Sequence, residues 1–171
     1  MTSPLKKYLL FIIPFLSLFS SCGVYKFNGA SIPPNMKTVS IQLFENNAPI
    51  VVPYLSQQFT EGLKNRIRNQ SRLNTTRENA DAQFEGRITD YSIQPLAVNA
   101  NERANLVRLT ITVSVKYTNS LENEDSFEQS FSRYTDFSLD QGSVQTQEPK
   151  LIPIVTDMLT EDIFNRAFAN W

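Results

Sequence analysis

The sequence predicts a two-layer α+β sandwich: a mixed four-stranded sheet with two helices packed on one face, in the order β-α-β-β-β-α. Three observations predict it. Residues 106–118 (LVRLTITVSVKYT) alternate apolar and polar side chains without a break, which is the period of a strand with one buried face. Two other segments, from Pro53 and from about Lys150, repeat apolar residues every three or four positions, which is the period of an amphipathic helix. Between the first helix and the last, the polar run at 119–125 (NSLENED) has the length and composition of a hairpin turn.

Taken in order, residues 38–44 (TVSIQLF) alternate so that Val39, Ile41 and Leu43 share one face of a first strand. Asn46-Asn47-Ala48-Pro49 is turn chemistry. Leu55, Phe59, Leu63 and Ile67 then form the stripe of a helix of about 16 residues. A helix of that length is marginal alone in water, so it must lie on the sheet. Residues 82–94 (AQFEGRITDYSIQ) begin with Phe84 and Ile88 in phase and continue with Tyr91 and Ile93 on the opposite parity, which predicts a bulge near Asp90. In residues 106–118, Val107, Leu109, Ile111, Val113, Val115 and Tyr117 point one way, and Arg108, Thr110, Thr112, Ser114 and Lys116 the other. Residues 126–137 return with Phe127 and Phe131 inward, a Gln/Ser/Gly loop spans 140–149, and a last helix from 150 to 169 carries Ile152, Val155, Leu159, Ile163 and Ala167. A helix between two strands makes the first pair parallel, and the later turns make antiparallel ones.

Composition removes most enzymes. The 171 residues contain no His and one Cys, which rules out a Ser-His-Asp triad, a Cys-His dyad, a His-rich zinc site and an internal disulfide. Sixteen Lys+Arg against 17 Asp+Glu lack the cationic excess that nucleic-acid binding needs. The five glycines never fall at phosphate-loop spacing. The acids Glu122, Glu124 and Asp125 sit in a turn, and Glu161 and Asp162 on the polar side of the last helix, so neither group reads as a buried acid–base pair. No catalytic, cofactor or metal residue is expected.

Residues 1–21 read as an export signal: Lys6 and Lys7 precede a 12-residue apolar run (YLLFIIPFLSLF) that is too short to span a bilayer and contains Pro14. The run ends in Ser20-Ser21 before the sole cysteine, Cys22. Phe19-Ser20-Ser21-Cys22-Gly23 resembles a bacterial lipobox, with Phe where Leu is commonest. Cys22 is therefore the expected lipidation site, and two or three acyl chains anchor a small domain stably where one would not. Cleavage before Cys22 leaves 150 residues and, because Lys6 and Lys7 leave with the signal and no acid does, a formal charge of −3. Gly23 with no acidic run behind it resembles the outer-membrane sorting pattern on the periplasmic side. Residues 22–37, with Gly29, Pro33 and Pro34, read as a lipidated tether, and 38–171 as the folded domain.

The polar sheet face is the candidate functional surface. Arg108, Thr110, Thr112, Ser114 and Lys116 place two cations about 27 Å apart with hydroxyls between them. Such a face is either plain water-facing strand or a docking surface for a polar partner or a phosphate. Arg133, on the strand expected to pair with this one, is nominated to join it.

Several short motifs in order carry a resemblance: residues 22–27 (CGVYKF), 29–34 (GASIPP), 37–41 (KTVSI), 59–64 (FTEGLK), 127–134 (FEQSFSRY) and 161–168 (EDIFNRAF). Together the chain resembles the LptE family of lipopolysaccharide-assembly lipoproteins in its Bacteroidetes form. The resemblance implies two helices against a four-stranded sheet and no enzyme activity. It also implies a lipid-anchored outer-membrane subunit that plugs and helps assemble the LptD β-barrel one-to-one and assists lipopolysaccharide insertion into the outer leaflet. A barrel lumen is polar, so a plug should turn hydroxyls and charges outward. Two readings compete: a lipoprotein that binds a lipid or glycan by itself, whose cue would be apolar residues left over from the core, and a periplasmic hydrolase.

Overall fold

The computed structural model describes residues 32–96 and 106–169. The expected signal peptide, Cys22 and most of the expected tether lie outside the described residues. The elements are β1 (Thr38–Ile41), β2 (Glu45–Asn46), α1 (Leu55–Gln70), β3 (Asn74–Thr75), β4 (Ala82–Pro95), β5 (Leu106–Asn119), β6 (Phe127–Ser138) and α2 (Val144–Phe168). The sheet order is β3-β1-β4-β5-β6, with β2 also on β4. β1 and β2 run parallel to β4, and β4, β5 and β6 are antiparallel. The α+β class and the mixed, open sheet are those the sequence predicts.

Two strands exceed the expected four. Each is two residues long, too short to leave a periodic signal, and is held by backbone bonds such as Asn47 N–H to Ile88 C=O (2.9 Å) and Thr76 N–H to Val39 C=O (2.9 Å).

One face of the sheet carries both helices. Val107, Leu109, Ile111, Val113, Val115 and Tyr117 of β5 are at most 5% exposed, while Arg108, Thr110, Thr112 and Ser114 are half-buried and Lys116 is exposed. Alternate residues of a strand point to opposite faces, so only the odd-numbered face of β5 is covered. The α1 stripe of Leu55, Phe59, Leu63 and Ile67 is fully buried, as are Ile152, Val155, Leu159 and Ile163 of α2. Each such side chain contributes roughly 1.5–3 kcal/mol of transfer free energy before chain entropy is subtracted. The helices also touch each other. Gly62 leaves room for Thr156, whose Cγ2 lies 3.3 Å from where a Cβ would stand, and the Arg66 guanidinium bonds the Thr160 hydroxyl (3.0 Å) and the Asp157 carboxylate.

The predicted bulge is present. The β4–β5 register shifts between Ile88 and Asp90, so that Ile88 opposes Val113 and Tyr91 opposes Ile111, both on the helix side. The Thr89 hydroxyl donates to Thr112 C=O at 3.3 Å.

Two local expectations are corrected. The alternation of the first strand slips after Ile41: Leu43 is 60% exposed and Phe44 is fully buried. The cause lies on β4, where Gly86 has no side chain and the Phe44 ring takes that space; a Cβ on Gly86 would stand 2.5 Å from Phe44 Cε1. Phe44 is then pinned by its N–H to the Thr60 hydroxyl (3.1 Å), and its C=O accepts from Ser56 Oγ. The last helix starts at Val144, so Pro149 and Pro153 lie inside it. The first turns are held down by Gln147, whose amide donates to Ser138 C=O (3.0 Å) and Gly142 C=O (2.6 Å), which offsets the backbone bonds the prolines remove.

The described end of the expected tether is packed. Met36 is 1% exposed, and Ile32 lies partly buried against the core, beside a hollow shared with Tyr117, Asn119 and Arg166.

Candidate docking face

The uncovered sheet face is built in rows set by strand register. Across β4, β5 and β6 the rows read Gln94–Arg108–Asp136, Ser92–Thr110–Tyr134, Asp90–Thr112–Ser132, Arg87–Ser114–Ser130 and Glu85–Lys116–Glu128. Directly opposed residues share a face. The surface therefore carries hydroxyls on its three central rows, with Asp90 and Arg87 beside them on β4, and a charged row at each end.

Both end rows are compensated from within. The Arg108 guanidinium donates twice to Asp136, from Nε at 2.7 Å and from the second Nη at 2.9 Å, and its Cζ lies 3.7 Å from the centre of the Tyr134 ring. The bond to Asp136 raises the Arg108 pKa, and the same bond holds the Asp136 carboxyl below the usual range. Lys116 Nζ is 3.8 Å from the Glu85 carboxylate, with Glu128 opposite on β6. In the middle, the Thr112 and Ser132 hydroxyls are 3.0 Å apart. A shallow depression of about 340 Å³ opens where β1 gives way to β2. It is lined by Glu45, Glu85 and Glu128 against Arg87 and Lys116, with Ser114 and Gln42 between them.

Of the residues singled out in the sequence, Arg108, Thr110, Thr112, Ser114 and Lys116 form one continuous strip. Arg133 does not join it. It pairs with Ile111 and turns to the helix side, where Nε and an Nη reach the Asp162 carboxylate at 2.5 and 2.6 Å. The signal for this was present, since Arg133 has the parity of Phe127 and Phe131. The opposite parity identifies Tyr134 and Asp136, which the sequence reading missed, as members of the face. Among the described residues, no group of three or more His, Cys, Asp or Glu is placed to hold a metal ion, and no helix is long and apolar enough to cross a membrane.

This two-layer α+β fold recurs in other bacterial proteins. A minor lipoprotein from Acinetobacter baumannii superposes with a TM-score of 0.52 at 17% identity, over 77% of this chain and 91% of that one. The hypothetical protein CT253 from Chlamydia trachomatis superposes with a TM-score of 0.53 at 11% identity, over 79% and 99%. At those identities the likeness is one of fold. No curated protein matches the sequence. Residues 36–167 match the family model described as LptE, lipopolysaccharide-assembly, and the chain belongs to that family. It is thereby an assembly lipoprotein of a non-catalytic family, with a context in lipopolysaccharide assembly.

Proposed function

We propose that this protein is the plug and assembly partner of an LptD-like outer-membrane β-barrel, bound one-to-one, through which it assists lipopolysaccharide insertion into the outer leaflet. In this reading residues 1–21 are a cleaved lipoprotein signal, and Cys22 carries the acyl chains that anchor the protein in the outer membrane. Residues 22–37 are the tether, and residues 38–171 face the periplasm and the barrel lumen. The order of short motifs supports the Bacteroidetes form of the family.

The observation that carries the reading is the open hydroxyl face. It leaves a polar surface uncovered while Leu55, Phe59, Leu63 and Ile67 of α1 and Ile152, Val155, Leu159 and Ile163 of α2 are spent on the core. The charge pairing favours one of its two possible partners. Arg108 is bonded twice to Asp136, Arg133 lies on the other side, Lys116 sits between two glutamates, and the exposed Arg87 has Glu45 opposite it on β2. A phosphate would have to displace these carboxylates, whereas a polar barrel wall can exchange hydrogen bonds with hydroxyls and balanced ion pairs. The face therefore suits the barrel, and lipopolysaccharide is handled through the complex. A lipoprotein that binds lipid alone keeps part of its cue in the exposed Leu43, Ile50, Val51 and Ile154, but is less well supported because all eight phenylalanines among the described residues are buried or packed against the core.

The test is purification from mildly solubilised outer membranes. A one-to-one complex with a large β-barrel is expected; recovery as a free monomer, or normal barrel folding and normal surface lipopolysaccharide after depletion, would overturn the proposal.

A further inference from the structure

The two edges of the sheet are unlike. One is closed by the two-residue strands β2 and β3, the short, blunted kind of edge that resists pairing. The other is β6, twelve residues in unbroken register with β5 and, among the described residues, paired to no strand on its outer side. Neighbouring β6 residues are exposed together (Glu128, Gln129 and Ser130; Ser132, Arg133 and Tyr134), so this edge is open from both faces of the sheet. It has no proline and no bulge, and its charges are matched by Lys116, Asp162 and Arg108.

A ledge overhangs this edge. Asp162 of α2 reaches down to Arg133 of β6. Leu151 and Met158 lie on the same line of the helix as Asp162, at steps of seven and four residues. Both are only partly buried, and Ile154 beside them is 50% exposed. The space next to β6 therefore has backbone donors and acceptors along its side, an apolar stripe above it on the helix side, and hydroxyls continuing below it on the polar face.

We infer that the β6 edge is a strand-addition site whose occupant is an extended segment of another protein with alternating apolar and polar side chains. Backbone pairing to β6 supplies affinity, the apolar residues pack beneath Leu151, Ile154 and Met158, and the polar ones extend the hydroxyl face. A second copy fits less well, since the helix-side residues of its own β6 include Gln129, Arg133 and Thr135, which would lay polar groups against the apolar stripe. This inference stands on the edge and the ledge and does not depend on the barrel proposal.

The test uses the full mature chain in detergent and a fluorescent seven-residue peptide of alternating Val and Thr. Saturable binding is expected, with slowed hydrogen exchange at the outward-facing β6 amides, those not bonded to β5. Methylating alternate peptide nitrogens, or changing Ile154→Asp, should weaken binding by about tenfold or more, the latter without changing the melting temperature. Three results would overturn the inference: equal binding of the methylated peptide, protection elsewhere than β6, or outward-facing β6 amides, those not bonded to β5, already protected before peptide is added. Prior protection of the outward-facing amides that varies with protein concentration would assign the edge to a second copy, and prior protection in a dilute monomer would assign it to another segment of the chain itself.

Discussion

Thr38 and Asp81 bond to each other in both directions where β1 and β4 begin side by side. The Thr38 hydroxyl donates to Asp81 Oδ2 and accepts from the Asp81 N–H, each at 3.0 Å. The same Oδ2 also accepts the backbone N–H groups of Lys37 (2.8 Å) and Thr38 (2.9 Å). One carboxylate thus fixes the entry of the chain into its first strand.

Those donors favour the ionised carboxyl: the Lys37 N–H first, then the two groups of Thr38, hold the Asp81 pKa below its ordinary value. A group with a depressed folded pKa stabilises the fold above its unfolded pKa, about 3.9, and loses that contribution as pH falls through the folded value. Asp81→Asn should therefore lower the urea midpoint at neutral pH. The gap from wild type should begin to narrow below about pH 4, where the unfolded carboxyl takes up its proton, and close as pH falls through the lower folded value. Parallel urea titrations across that range measure it.

Gly86 should tolerate no side chain. A Cβ there would stand 2.2 Å from the Ser114 carbonyl oxygen and 2.5 Å from the Phe44 ring. Gly86→Ala should cost about 1–3 kcal/mol or more in denaturant unfolding. Adding Phe44→Leu should recover only part of the loss, because the Ser114 oxygen belongs to the backbone and cannot turn aside.

Gly62 should behave differently. Its added Cβ would meet Thr156 Cγ2 at 3.3 Å, a contact a side chain can relieve, and alanine gains about 1 kcal/mol of helix propensity over glycine. Gly62→Ala should be near neutral. Gly62→Leu should force the helices apart and cost about 1–3 kcal/mol. Melting curves of the two variants separate the cases.

If the hydroxyl face docks the barrel, Thr112→Trp should reduce recovery of the barrel complex while leaving unfolding free energy within about 0.5 kcal/mol of wild type. Asn69→Trp, on the exposed side of α1, should leave recovery intact. Cys22→Ala should separate anchoring from docking by moving the protein out of the membrane fraction.

Much of this architecture was legible from spacing alone. The β5 alternation, the stripes of both helices and the bulge before Asp90 are strong because each rests on several residues in phase. What escaped the spacing depends on partners distant in sequence. Leu43 and Phe44 exchange places because of a glycine on another strand, and the N-terminal turns of α2 outlast two prolines because Gln147 ties them to β6. The strip from Arg108 to Lys116 was readable as a surface, yet its charge balance was not. Asp136 and Glu85 neutralise it across register, and register emerges only when the strands are laid side by side.

The extra residue in β4 sets the shape of the polar face. Ile88 and Tyr91 both turn inward although three positions apart, so a chain lacking Thr89 would keep every side chain on its proper side and still pair with β5. What it would forfeit is the bend and added twist a bulge imposes. A one-residue deletion there is therefore the means to change the local shape of the contact without altering its chemistry.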